Sequence, residues 1–139
     1  MPENSARCSL CGHQPLFSTT ITEDFDFNFE EEVVKVHVEN IPVRKCEGCG
    51  ETYSGPDAAR MEHEVICRTL GLLRPDEIRT IREGLGWTQQ KLADLTGFGI
   101  ASVSRWEQGR LVQNRSCDRF LQALRDCPEL SKYLEAKRK

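Results

Sequence analysis

The sequence has no long hydrophobic run, no excess of basic residues and no low-complexity tract. Its apolar stretches fall short of a bilayer-spanning segment, and Met1 to Arg7 lack the apolar core of a signal peptide. The chain has 139 residues, which excludes folds that need roughly 200 or more, such as a TIM barrel. A net charge of −3 argues against a wholesale polyanion binder, since chains that coat nucleic acid are usually basic throughout. We therefore expect one or two small domains in the cytoplasm, without a membrane partner.

The charges are divided unevenly along the chain. Residues 1–73 carry six basic and thirteen acidic residues, a net charge of −7, and residues 74–139 carry thirteen basic and nine acidic residues, a net charge of +4. An acidic half joined to a basic half indicates two surfaces with two different partners, with uneven solvated charge as the alternative. The sequence also has no HExxH motif and no Ser/His/Asp set, so we do not expect an enzyme.

Four of the seven cysteines form two CxxC pairs, Cys8 with Cys11 and Cys46 with Cys49. Each pair is followed by glycine, which permits a tight turn around an ion. In a reducing compartment, paired cysteines more often hold metal than form disulfides. The spacing predicts one structural Zn²⁺ per chain on all four thiolates, with an iron centre or a redox pair as alternatives. A catalytic zinc is disfavoured because four protein ligands leave no open position for water.

The remaining histidines and cysteines are weaker candidates. His13 is either an exchangeable ligand or a solvated imidazole. His63 and Cys67 lie four residues apart on one predicted helix, and without another ligand pair nearby we interpret them as a surface histidine and a half-buried thiol. Cys117 and Cys127 are interpreted as core thiols.

Alternating residues predict a β-hairpin between the cysteine pairs. Phenylalanines at 25, 27 and 29 and valines at 34, 36 and 38 alternate with polar and mostly charged residues, so each series occupies one face. The turn falls near Glu30, Glu31 and Glu32 and has no Asn-Gly or Asp-Gly signal. Because this region has few large apolar side chains, it needs an added staple such as the metal.

The fold class expected is α+β with two domains. A zinc-stapled hairpin domain spans residues 1–55, and a stiff connector helix with Asp57 as its N-cap spans 56–73. An all-α five-helix domain spans 74–139. Its helices are predicted at about 76–84, 88–96, 100–108, 116–126 and 128–137, with Thr88 and Ser116 as N-caps and Pro128 at a first helical position.

Two of these helices have the dimensions of a helix-turn-helix. The first begins at Thr88, the turn surrounds Gly97 and the second ends at Gly109, so the second helix can enter the major groove. Val103 and Trp106 lie three residues apart and are predicted to face the core. The residues left facing outward are Ala101, Ser102 and Arg105.

These outward residues are the candidates for DNA contact. Arg105 suits a guanine edge, Ser102 a base or phosphate, and Ala101 a thymine methyl. Thr88 and Gln89 suit a phosphate contact at the positive end of their helix. The alternative for Arg105 is an ion pair with Glu107 or a solvated position. One such domain covers a half-site, so a homodimer on a palindromic operator in double-stranded DNA is expected. The last two helices supply the dimer contact or pack internally.

The order of the motifs resembles the MqsA-type antitoxins, in which a YgiT-type zinc finger precedes an Xre-class helix-turn-helix domain. The resemblance spans Cys8 to about Leu134. It rests on the segment Ile41 to Tyr53, which is similar to the family's second knuckle, and on the TQQKLA and SRWE sequences of the helix-turn-helix. One departure is Ala101, where the family commonly has a polar, base-reading residue.

The resemblance implies a type II antitoxin. Its zinc-bearing half would neutralise a toxin, often an mRNA interferase, and its dimeric C-terminal half would repress the operon. The acidic charge of the first half fits a basic toxin, with Glu30, Glu31 and Glu32 as candidate contacts or as simply solvated residues. The alternative function is a stand-alone zinc-containing transcriptional regulator that senses metal, redox state or a ligand.

Overall fold

The structure is a computed structural model that describes residues 7–13 and 16–137. These residues form a three-stranded antiparallel sheet, in the order β1-β2-β3, and six helices. The strands are β1 (Phe17–Phe29), β2 (Glu32–Lys45) and β3 (Thr52–Ser54). The helices are α1 (Pro56–Leu70), α2 (Pro75–Gly84), α3 (Gln89–Thr96), α4 (Ile100–Glu107), α5 (Arg115–Asp126) and α6 (Pro128–Lys137).

Strands β1 and β2 form the predicted hairpin. Phe29 pairs with Glu32, so Glu30 and Glu31 are the two turn residues. Phe25 lies opposite Val36, as expected if the aromatic and valine series share the inner face. The short strand β3 was not predicted. It pairs with the end of β2 and returns the chain to the sheet after the second cysteine pair.

The helix expected as a connector, α1, lies on the sheet and completes its core. It begins at Pro56 with Gly55 as the N-cap, so Asp57 is not the N-cap; the fixed φ of proline suits the first helical position. It ends at Gly71, whose φ of 71° is left-handed. The buried residues of this core are Phe29, Val36, Val38, Ile41, Val43, Ala58, Ile66, Cys67, Leu70 and Leu72.

Helices α2 to α6 enclose a second core. Phe98, in the turn before α4, makes edge-to-face contacts with Trp106 and Phe120, with ring centroids 5.2 and 5.4 Å apart. Such aromatic pairs add to the stability gained from burial alone. The buried members of this core are Leu73, Ile78, Ile81, Trp87, Leu92, Ala93, Val103, Trp106, Leu121 and Leu124.

Of the two N-caps predicted in this region, one is confirmed and one is wrong. Thr88 caps α3, as predicted, by accepting a hydrogen bond from the backbone N–H of Lys91 at 3.0 Å. Helix α5 is capped by Asn114, which accepts from the N–H of Cys117 at 2.8 Å. Ser116 is therefore inside the helix, because α5 starts one residue earlier than predicted.

Buried polar side chains fix the segment between α1 and α2 against α5. The backbone N–H of Leu73 donates to Asp118 Oδ1 at 2.8 Å, and its carbonyl accepts from Gln113 Nε2 at 2.8 Å. Gln113 also donates to Asp118 at 3.1 Å. Asp118 and Gln113 are both buried, so both main-chain groups of Leu73 bond inside the protein. These hydrogen bonds satisfy buried polar groups and hold the segment that follows α1 against α5.

Candidate functional site

The two cysteine pairs lie on two matching turns. In each turn, the glycine after the pair donates its N–H to the carbonyl of the first cysteine at 2.9 Å. The first cysteine in turn donates its N–H to the carbonyl of His13 or Glu51, also at 2.9 Å. Gly12 and Gly50 have φ of 76° and 80°, a left-handed conformation that glycine adopts without strain. The two cysteine pairs therefore lie on turns that share the same hydrogen bonds and the same glycine conformation.

The structure brings the four predicted cysteines together. All four Sγ atoms lie within 4.8 Å of one another. The separation is 3.6 Å between Cys8 and Cys49 and 3.4 Å between Cys11 and Cys46. A tetrahedral ion with bonds of about 2.3 Å to sulfur needs sulfur atoms about 3.8 Å apart. The cluster can hold a metal ion, and four soft thiolates are a donor set that structural zinc prefers.

Tyr53 on β3 adds a hydroxyl to this cluster. Its Oη lies 3.1 Å from Cys8 Sγ and 3.1 Å from Ser9 Oγ. The hydrogen bond with Tyr53 is the main reason that the pKa of Cys8 is lowered to about 6. No motif in the sequence indicates a role for Tyr53, and its position four residues after Cys49 is the signal available for it.

The pKa values of Cys11 and Cys49 shift in the opposite direction from that of Cys8. The backbone N–H of Glu51 lowers the pKa of Cys49, but burial and the neighbouring thiols outweigh it and raise that pKa to about 12. The backbone N–H of His13 lowers the pKa of Cys11, but hydrogen bonding to Cys46 and burial outweigh it and leave that pKa raised as well. Crowded thiolates repel one another, so a bound cation is what would allow all four to be charged.

The weaker cysteine and histidine candidates are placed differently from the sequence interpretation. His63 and Cys67 are both buried, because the face of α1 that carries them packs inward. Burial lowers the pKa of His63 and raises the pKa of Cys67 to about 11. Cys127 is exposed at the C-cap of α5 and is not a core thiol, whereas Cys117 is half-buried against the helical core. Among residues 7–13 and 16–137, only the four-cysteine cluster brings three or more potential ligands together.

Helices α3 and α4 form the predicted pair around a turn at residues 97–99. Gly97 ends α3 with a φ of 84°. Val103 and Trp106 are buried, as predicted from their spacing. Ala101 and Arg105 are exposed and Ser102 is half-buried. The first helix presents an exposed Thr88, whose hydroxyl oxygen caps α3, and a half-buried Gln89 that hydrogen-bonds Glu107.

Glu107 forms its ion pair with Arg82 on α2. It does not pair with Arg105, the neighbour that the sequence suggests. Its carboxylate accepts from Arg82 Nε at 2.8 Å and from Arg82 Nη2 at 2.9 Å, and Arg79 Nε lies 3.5 Å away. The Glu107 side chain is fully buried. Burial raises the pKa of this carboxyl, but the hydrogen bonds from Arg82 and its neighbours outweigh burial and lower that pKa overall. This bidentate pair fixes the end of α4 to α2.

The three glutamates proposed to contact a toxin have different surroundings. All three are exposed. Glu30 Oε1 accepts a hydrogen bond from the backbone N–H of Arg115 at 2.9 Å, at the start of α5. Glu31 completes the turn and Glu32 begins β2. The acidic turn therefore lies next to the helix that follows α4.

The fold and the cluster define a class of protein in which a sheet with paired cysteine turns precedes a group of short helices. The family described as the antitoxin component of the bacterial toxin-antitoxin system, MqsA, matches residues 6–135. The chain belongs to this antitoxin family, as its resemblance predicted. No curated protein matches the chain. Over the ranges described, none of the helices is long and apolar enough to cross a membrane.

Proposed function

We propose that this chain is the antitoxin of a type II toxin–antitoxin system in the bacterial cytoplasm. It neutralises a toxin through its sheet region and represses its own operon through α3 and α4. The observation that carries this proposal is the family match over residues 6–135, which includes both the cysteine cluster and the helix pair. The role is one of binding, with no catalytic step.

The metal in this proposal is one structural Zn²⁺ per chain, held by Cys8, Cys11, Cys46 and Cys49. The separations of the sulfur atoms and the matching turns support this assignment. Four protein ligands fill a tetrahedral ion, which leaves no position for substrate. Zinc would fix the two turns against each other at the end of a sheet whose local core is small.

The DNA-binding surface in this proposal is the outward face of α4. Trp106 is buried and Glu107 is paired with Arg82, so the helix is held on its inner side. Arg105 and Ala101 are exposed on the other side. A long arginine side chain on a fixed helix suits a guanine edge in the major groove. A dimer of the C-terminal region would place two such helices on a palindromic operator.

The toxin-binding surface in this proposal is the acidic face of the sheet and its turn. Asp24, Asp26, Glu31 and Glu32 are exposed, and residues 1–73 carry a net charge of −7. A surface of this sign suits a basic toxin, since complementary potentials speed association and select partners.

Co-expression with the product of the adjacent gene tests the antitoxin role. The neighbouring protein alone should arrest growth, and this chain should restore it. Arg105→Ala should weaken operator binding by about 1–3 kcal/mol and leave growth rescue intact. Arg119→Ala, which removes the same charge from an exposed site on α5, is the matched control. A neighbour that is not toxic would contradict the antitoxin role and favour a stand-alone regulator, and an unchanged operator affinity would remove Arg105 from the interface.

A further inference from the structure

Three contacts join the start of α5 to its neighbours, two to the hairpin and one to the end of α1. Glu30 Oε1 accepts from the backbone N–H of Arg115, although the two residues are 85 positions apart. The guanidinium of Arg115 lies over the ring of Phe29, with Cζ 5.5 Å from the centroid. Its Nη1 also donates to the carbonyl of Leu70 at 3.3 Å. Arg115 thus contacts β1, the turn and the end of α1 together.

The contact between Glu30 and α5 has a clear electrostatic basis. The first N–H groups of a helix have no partner within the helix, and the helix dipole places partial positive charge there. Asn114 satisfies the N–H of Cys117, and the Glu30 carboxylate satisfies that of Arg115. A carboxylate from a distant part of the chain therefore completes the cap of α5.

Backbone conformation also indicates that the Glu30 side chain has a specific role. Glu30 has a φ of 55°, a left-handed conformation that is strained for a residue with a Cβ atom. Two-residue hairpin turns usually place asparagine, aspartate or glycine at such a position. The contact with α5 offsets the strain that glutamate adds to this turn.

We propose that Glu30 and Arg115 form a latch that holds the hairpin turn on the N-terminus of α5, and that a cationic protein surface binding the turn opens it. The second part rests on the proposed function, since the acidic turn is where a basic toxin would bind. A cationic side chain that takes both oxygens of the Glu30 carboxylate, as a bidentate arginine does, competes with the N–H of Arg115 for Oε1. Opening the latch would free the turn from the helix that directly follows α4.

Amide hydrogen exchange in the full-length chain tests the latch without any partner. In Glu30→Ala, the Arg115 amide should exchange about three- to tenfold faster, because it loses a charge-assisted bond. Glu31→Ala removes the same charge from the adjacent turn residue and should leave this rate unchanged. A Glu30→Ala rate equal to that of the wild type would overturn the latch. Glu30→Gln, which keeps an acceptor oxygen, should fall between the two.

Two substitutions at Arg115 test competition with the toxin encoded by the adjacent gene. Arg115→Ala keeps the backbone N–H and removes the side-chain contacts. Arg115→Pro removes the N–H as well, and proline suits this site because Arg115 is the first residue of α5 and Asn114 is extended. Folding of both variants is checked by the exchange protection of the Leu121 and Leu124 amides.

The toxin should bind these variants more tightly than the wild type, by about three- to tenfold for Arg115→Pro and by less for Arg115→Ala. Equal or weaker binding by a folded Arg115→Pro variant would overturn the competition. If the wild type and both variants all fail to bind the toxin, the proposed function fails, whereas the exchange rate of the Arg115 amide still decides the latch.

Discussion

The two ends of the molecule are held together by different means. Around the cysteine cluster, the buried apolar residues are Cys8, Leu16 and Cys46, with Tyr53 packed against them. The helical region instead buries ten residues in one core and adds a buried ion pair between Glu107 and Arg82. An end with so little buried apolar surface needs another source of stability, and the four thiols can supply it through a metal. The helical end does not share this need.

Removing one thiol should cause the largest loss of stability. That loss should be confined to the cysteine turns and the end of the sheet beside them. Wild-type protein should contain about one zinc per chain, and Cys46→Ser should lose it, because structural zinc sites contribute their binding free energy to folding. Metal analysis and hydrogen exchange of residues 7–13 and 46–54 measure this. Protection of α2 to α5 should remain.

Cys127→Ser is the matched control, since Cys127 is exposed and lies outside the cluster. It should keep the metal. Normal metal content in Cys46→Ser would refute the ligand assignment, and global unfolding of that variant would refute the contrast between the two ends.

Breaking the buried ion pair should have the next largest effect, now at the helical end. Glu107→Ala leaves Arg82 without its buried partner and should lower the free energy of unfolding by about 3–5 kcal/mol. Urea denaturation measures the change. Glu83→Ala is the control, because Glu83 is exposed and lies 3.9 Å from the same arginine, and it should cost less than about 1 kcal/mol. Equal losses in the two variants would contradict the role of Glu107.

The helices and the hairpin were predictable because their apolar residues repeat with the period of each structure. The four cysteines were predictable from their spacing alone. Helix α1 was expected as a connector because an amphipathic pattern shows that one face is covered but not what covers it. Its inner face packs on the sheet, which is why His63 and Cys67 are buried.

Features that depend on distant contacts were not predictable. Tyr53 reaches Cys8 only because β3 returns to the sheet. Arg105, two residues away, is the partner that the sequence suggests for Glu107, yet Glu107 binds Arg82, 25 positions away. The sequence offers Glu30 as a toxin contact or a solvated residue, and no local pattern indicates its bond to Arg115. Local sequence thus defines the elements, and tertiary contacts decide the roles of single polar residues.

A smaller effect should distinguish the observed cap of α5 from the predicted one. Asn114→Ala removes the acceptor for the N–H of Cys117 and should lower the free energy of unfolding by about 1 kcal/mol. Ser116→Ala, inside the first turn, should change it by less than about 0.5 kcal/mol. Urea denaturation of both variants measures the difference, and a larger loss in Ser116→Ala would restore the sequence-based cap.

The smallest predicted effect is on the pH dependence of the free energy of unfolding. The contributions of Glu107 at the helical end and of His37 on the sheet should change with pH in opposite directions. At the helical end, hydrogen bonds outweigh burial and lower the pKa of Glu107, so its contribution to stability is present above its unfolded pKa of about 4.5 and is lost as the pH falls through the folded value. On the sheet, His37 Nδ1 lies 2.6 Å from Asp24 Oδ1 and Nε2 lies 3.1 Å from Glu39 Oε1. The hydrogen bond with Asp24, supported by Glu39, raises the pKa of His37.

The contribution of His37 is therefore complete below its unfolded pKa of about 6.5 and is lost as the pH rises through the higher folded value. The difference in unfolding free energy between the wild type and His37→Gln should shrink over that range, as urea denaturation at successive pH values would show. Lys35→Gln is the control, since Lys35 is 92% exposed and 3.9 Å from Asp26, and its ammonium does not titrate there. A difference that grows with pH would mean that neutral rather than charged His37 stabilises the sheet, and the contrast in sign between the two ends would fail.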